Sequence, residues 1–109
     1  MCDYDPHQVA ELIASGGVQL VDVRAEHEHA AAHIPGSRLI PLEDLPAQSA
    51  TIDRAMPVIL YCRSGGRSAM ATAALRQAGY DAHNMTGGML EWDRLGLAKE
   101  PADGHIALP

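Results

Sequence analysis

The run Pro57-Val58-Ile59-Leu60-Tyr61 passes straight into Cys62-Arg63-Ser64-Gly65-Gly66-Arg67-Ser68 and then into Ala69-Met70-Ala71-Thr72-Ala73-Ala74-Leu75-Arg76. A β-branched run closed by an aromatic residue reads as a buried strand. The alanine-rich stretch reads as a helix ended by Gly79. Cys62 therefore falls at the carboxyl end of a strand, in a glycine-bearing loop that feeds a helix amino terminus. Backbone N–H donors and the positive pole of the helix converge at such a place. Arg63 and Arg67 add full charge, so Cys62 is expected to ionise below the ordinary thiol value and to act as a nucleophile, in a loop open to solvent. A cysteine after a strand is more often an inert small hydrophobe, and Gly-Gly can be plain turn chemistry. Two arginines around one cysteine ask for more than a turn, because crowded like charges are costly until an anion offsets them.

The rest of the chain alternates in the same way. Asp5 before Pro6, with Gln8 three residues on, has the arrangement of a capping box, and the helix it starts runs through Val9, Leu12 and Ile13 to Gly16-Gly17. Val18–Val23 reads as a buried strand, Ala25–His33 as a short helix stopped by Pro35-Gly36, and Ser37–Leu42 as a second short strand. Glu43–Ala55 is helical or irregular. The Pro57–Tyr61 strand, the Cys62 loop and a helix over Arg67–Ala78 follow, then a strand over Asp81–Met85 and a helix over Met89–Leu95. Strands separated by helices predict right-handed crossovers, hence an α/β fold of three layers with a mainly parallel central sheet flanked by helices. Ligands of such sheets bind beyond the carboxyl ends of the strands, where Cys62 lies.

With 109 residues and 47% hydrophobic content, the chain fits one domain, placed here at residues 1–97, with a loosely docked tail over 98–109 where Pro, Gly and Ala accumulate without periodicity. The formal net charge is -6. A negative field makes nucleic acid or an anionic membrane surface poor partners, and leaves the basic loop as a local exception suited to a small anion. No apolar run reaches membrane-spanning length, and the acidic amino terminus lacks the regions of a signal peptide, so a cytoplasmic protein is expected. A disulfide between Cys2 and Cys62 would cap the proposed nucleophile; Cys2 reads as an unstructured terminal thiol, its alternative being a resolving cysteine for Cys62.

Other clusters weigh less. His29 and His33 lie at i, i+4 with His27 nearby, a spacing that can bind metal, but a solvated, mildly titratable face is the favoured reading and no metal is assigned. Arg24 and Glu28, one turn apart, are read as a partly buried pair holding the first strand–helix junction. Met85 and Met89 read as core filling, and Trp92 as packing the last helix on the sheet with an N–H that needs a partner.

Cys62-Arg63-Ser64-Gly65-Gly66-Arg67-Ser68 resembles the active-site loop of the rhodanese-like sulfurtransferases. Leu20-Val21-Asp22-Val23-Arg24, Glu28 and His33-Ile34-Pro35-Gly36-Ser37 are similar to that family's first signature, and Gly87-Gly88 with Trp92 to its closing one. His29 and Ala32 depart from the pattern, which usually has an aromatic residue and a glycine there. The resemblance implies transfer of a sulfane sulfur from thiosulfate or a similar small anionic donor to a thiol or cyanide acceptor through a persulfide on Cys62, with no organic cofactor; a protein acceptor is a further possible partner. Arg63, Ser64, Gly65, Gly66, Arg67 and Ser68 are the expected donor-binding residues. Arg67, placed where the helix dipole disfavours a cation, is expected to matter more for donor use than for stability. Two alternatives stay open: a cysteine-dependent phosphatase or arsenate reductase-like enzyme, and a non-catalytic interaction module of the same fold. Four residues separate Cys62 from Arg67 where phosphatase-type loops carry five, and the resemblance implies that the shorter ring suits a sulfur over a tetrahedral phosphate.

Overall fold

A computed structural model describes residues 2–109. Helix α1 (Pro6–Ser15) starts as its sequence dictates: the Asp5 carboxylate accepts the Gln8 N–H at 2.8 Å and the Gln8 side-chain carbonyl accepts the Asp5 N–H at 2.9 Å. Strand β1 (Gln19–Asp22), helix α2 (Glu26–Ala31) and strand β2 (Arg38–Leu39) follow. The segment left open between helix and irregular structure is a 3-10 turn (Leu42–Asp44), a short helix α3 (Leu45–Gln48) and a second 3-10 turn (Ser49–Thr51). Strand β3 (Val58–Tyr61), helix α4 (Gly66–Gln77), strand β4 (Ala82–Asn84) and helix α5 (Gly88–Arg94) complete the order.

The four strands form one sheet in the order β2-β1-β3-β4, every pair parallel, with Leu20 opposite Ile59 and Ile59 opposite His83. The α/β reading from alternation holds. Strand β2 is shorter than expected because the register slips after Leu39: Ile40 N–H donates to Asp22 and Leu42 N–H to Val23, so two residues advance on this edge against one on β1.

The side-chain period of two sorts β3 between two cores. Val58, Leu60 and Cys62 face Leu45 of α3 and Ala71 and Leu75 of α4. Ile59 and Tyr61 face Val9 of α1 and Met89 and Trp92 of α5. Parity alone thus sends the Cys62 side chain toward α4. Met85 and Met89 are fully buried in the second core, as core filling requires.

Both chain ends are more ordered than their composition suggests. Tyr4 forms a parallel bridge with Met85, its N–H donating to Asn84 at 3.0 Å and its carbonyl accepting from Thr86 at 2.9 Å. The main chain of Cys2 is held too, its carbonyl meeting His83 Nδ1, so this stretch is not the unstructured end expected. The register sets Cys2 two strands across and three residues back from Cys62, roughly 14 Å from it, far beyond disulfide reach. At the other end His33 and Glu100 exchange two backbone bonds of 2.9 Å, the Trp92 indole N–H donates to Ala98 at 2.9 Å, and Ile106 packs on the second core. Residues 98–109 are a docked strap, because its carbonyls accept the Trp92 indole N–H and the His33 N–H.

Candidate active site

Cys62 ends the β3 line and is only 1% exposed. The loop wraps the sulfur instead of leaving it open, which corrects the expectation of a solvent-open thiol. Gly65 makes the wrap possible: its φ of +109° is a left-handed conformation that a side chain would strain, and it turns the chain directly into α4. The Gly65 N–H donates to Cys62 Sγ at 3.0 Å, the Ser68 N–H at 3.5 Å and the Ser68 hydroxyl reaches it at 3.3 Å. Burial is the strongest influence on the thiol and pushes it up. The Ser68 hydroxyl and the N–H groups of Ser68, Gly65 and Ser64 together outweigh it and hold the thiol below its ordinary value. The loop's own hydrogen-bond donors are the main influences that lower it, and the Arg67 charge couples to the same sulfur.

Helix α5 fixes the other side of the loop. Its Met89 N–H donates to the Cys62 carbonyl at 2.9 Å and its Leu90 N–H to the Arg63 carbonyl at 3.0 Å. This close approach requires Gly88, where a Cβ would stand 2.5 Å from the Arg63 oxygen. The Gly87-Gly88 pair is therefore tied to the cysteine loop by contact as well as by pattern.

The two arginines have separate fates. Arg67 donates both terminal nitrogens to the buried Glu28 carboxylate, each at 2.8 Å, and Glu28 also accepts the Ala25 N–H at 2.9 Å. Burial pushes the Glu28 carboxyl up, but these bonds and the charges of Arg67 and Arg24 hold it below its ordinary value. Glu28 was expected to pair with Arg24. Arg24 instead bonds Asp22, through Nε at 2.9 Å and Nη2 at 2.7 Å, because β1 and the loop after it bring these buried groups together without any helical turn between them. Arg63 takes no carboxylate partner among the described residues, and its buried Nε makes no hydrogen bond. Ser64 and Gly66 lie exposed at the mouth of the loop.

His27, His29 and His33 do not converge on a common point. His29 and His33 stack with ring centroids 4.1 Å apart, His29 Nδ1 meets Asp22 at 2.8 Å, and His27 Nε2 meets the Leu108 carbonyl at 2.8 Å. Among the described residues no group of three His, Cys, Asp or Glu is placed to hold a metal. Sequence reasoning missed Asn84, whose side chain meets Ser68 Oγ at 2.6 Å beneath the loop. Its one signal was an amide in a strand that is otherwise buried, where polar groups need partners.

Residues 5–95 match the family described as the rhodanese-like domain. A sulfurtransferase of Allochromatium vinosum is 41% identical over 81 residues, covering 73% of this chain and 76% of that protein. The thiosulfate sulfurtransferase GlpE of Actinobacillus pleuropneumoniae is 32% identical over 101 residues, covering 92% of this chain and 94% of its own. A rhodanese-like domain protein from Staphylococcus aureus superposes with a TM-score of 0.79 at 33% identity, over 84% of this chain and 91% of that one. The parallel sheet, the donor-lined cysteine loop and these matches agree: the chain belongs to the rhodanese-like domain family.

Proposed function

We propose that the protein is a sulfurtransferase in which Cys62 carries the sulfur. The observation that supports this most is the pair of loop N–H donors aimed at one buried sulfur, with the Ser68 hydroxyl oxygen also within reach, all 3.0–3.5 Å away. Such a ring stabilises a thiolate, and equally the negative charge of a persulfide. In the first step the Cys62 thiolate attacks the outer sulfur of thiosulfate; the S–S bond to the sulfonate breaks and sulfite leaves with the bonding pair. In the second, a nucleophile such as cyanide or a thiolate takes the outer sulfur, and the Cys62 thiolate returns. Each step is one displacement at sulfur and needs no proton moved by the protein. Arg63, the loop arginine without a carboxylate partner, receives the donor's sulfonate, while Ser64 and Gly66 line the mouth. Arg67, already matched by Glu28, holds the loop and contributes through its field.

Intact mass spectrometry after incubation with thiosulfate tests the reading. The expected result is a gain of one sulfur atom, reversed by cyanide with release of thiocyanate, and absent from Cys62→Ser, which folds normally. Aryl phosphate hydrolysis that depends on Cys62, with no sulfur gain, would replace this reading by the phosphatase one.

A further inference from the structure

The Ser68 hydroxyl has one hydrogen and three acceptors within reach. Asn84 Oδ1 lies at 2.6 Å, Cys62 Sγ at 3.3 Å and the Gly65 carbonyl at 3.3 Å. Distance favours the amide oxygen, so in this arrangement the hydroxyl turns away from the sulfur. The other end of the same amide, Nδ2, donates to Gly65 O across 3.4 Å, a long bond that contributes little. Exchanging the two ends by a half-turn about the last side-chain bond gives up that weak contact and turns Oδ1 toward the Gly65 carbonyl, a repulsion that a charge-assisted bond to an anionic sulfur offsets. Nδ2 then donates to Ser68 Oγ, and the hydroxyl hydrogen is released to the sulfur.

The surroundings allow the side chain to turn and hold everything else still. The Asn84 N–H donates to Asp3 Oδ1 at 3.0 Å and its carbonyl accepts from Tyr4 at 3.0 Å, while Asp3 is itself paired with Arg76 at 3.0 Å. Ser68 is fully buried and Asn84 is 7% exposed, so water competes weakly for either group. A neutral thiol is a poor acceptor, and an anionic sulfur is a strong one.

Resting on the assignment of Cys62 as the sulfur carrier, we propose that Asn84 is a positioning residue whose amide orientation decides whether the Ser68 hydroxyl donates to the Cys62 sulfur. With the thiol, Ser68 donates to Asn84 Oδ1. With the thiolate or persulfide, the amide is turned and a one-way chain runs from Asn84 Nδ2 through Ser68 to the sulfur, each bond polarising the next.

The test is the pH dependence of Cys62 alkylation by iodoacetamide in wild type, Asn84→Asp, Asn84→Ala, Ser68→Ala and the Ser68→Ala/Asn84→Asp double variant, each checked for folding by circular dichroism. The ionised carboxylate that Asn84→Asp introduces can only accept, so it keeps the hydroxyl hydrogen. Asn84→Asp is expected to raise the inflection by about one pH unit, roughly a tenfold loss of rate below it. At least half of that rise disappears in the Ser68→Ala background, where only the added charge remains. Asn84→Ala removes the competing acceptor and the supporting donor together, so its shift is expected to be less than half that of Asn84→Asp. An Asn84→Asp shift of equal size in both backgrounds, or an Asn84→Ala shift as large, overturns the proposal. A measurement without variants guards against misfolding: in 15N-labelled wild type, the Asn84 side-chain amide resonances must move with the same midpoint as the alkylation profile, and static resonances overturn the proposal equally. Both readouts follow the thiol alone, so they stand or fall separately from the sulfur-transfer assay.

Discussion

Arg63 and Arg67 flank the same cysteine, and their partners make them unequal. Removing Arg67 strands the buried Glu28 carboxylate. Arg67→Ala is therefore expected to cost roughly 3 kcal/mol in denaturant unfolding, the loss typical when one partner of a buried pair is deleted. Arg63→Ala is expected to leave the unfolding midpoint in place and to raise KM for thiosulfate about tenfold, with kcat changed less. Steady-state kinetics beside urea melts separate the two. This reverses the expectation for Arg67 drawn from the helix dipole: the unfavourable cation is compensated from α2, thirty-nine positions away in the chain. Glu28 also sets a pH dependence. Its folded-state carboxyl lies below the ordinary 4.5, so the unfolded chain binds more protons between the two values. That contribution to stability is whole above about pH 4.5 and is lost as pH falls through the folded value. Wild-type stability should fall more steeply than that of Glu28→Gln as the pH drops below about 4.5.

At the scale of elements, the loop depends on two helix amino termini, each entered through a left-handed glycine. Helix α4 turns donors onto the sulfur, and α5 turns donors onto the carbonyls of Cys62 and Arg63. Gly88 is the joint between them, with φ +59° and no room for a Cβ. Gly88→Ala is expected to destabilise by roughly 3 kcal/mol and to slow Cys62 alkylation, because the loop must move away from its donors. Thermal melts and alkylation rates on the same sample check both effects together. The order of elements was legible from local pattern: apolar runs for β1 and β3, the Asp5-Pro6-Gln8 signal for α1, alanines for α4. Their ends were less so. Strand β2 stops where its register slips against β1 after Leu39, and the segment before β3 breaks into turns, which no periodicity announces.

On the scale of the whole molecule, the strap of residues 98–109 ties α5 to the segment after α2 through Trp92 and His33. Deleting it exposes the indole and the side of the second core under Ile106. The truncated chain is expected to lose about 2–3 kcal/mol of stability, read from the urea midpoint, with Cys62 still alkylated at a near-normal rate. A loss of reactivity without a loss of stability would mean that the strap acts on the loop through α2. What the sequence determined by itself is local. A buried strand, a cysteine, a left-turning glycine and a helix in succession place a sulfur under N–H donors, because backbone geometry within a few residues needs no distant information. The alternation of strands with helices likewise implied a parallel sheet covered on both faces. Tertiary structure alone decided which charges meet, that Asn84 lies under Ser68, and that both chain ends dock. Buried polar groups take whatever partner the packed fold brings within hydrogen-bond reach, and that partner can lie dozens of residues away.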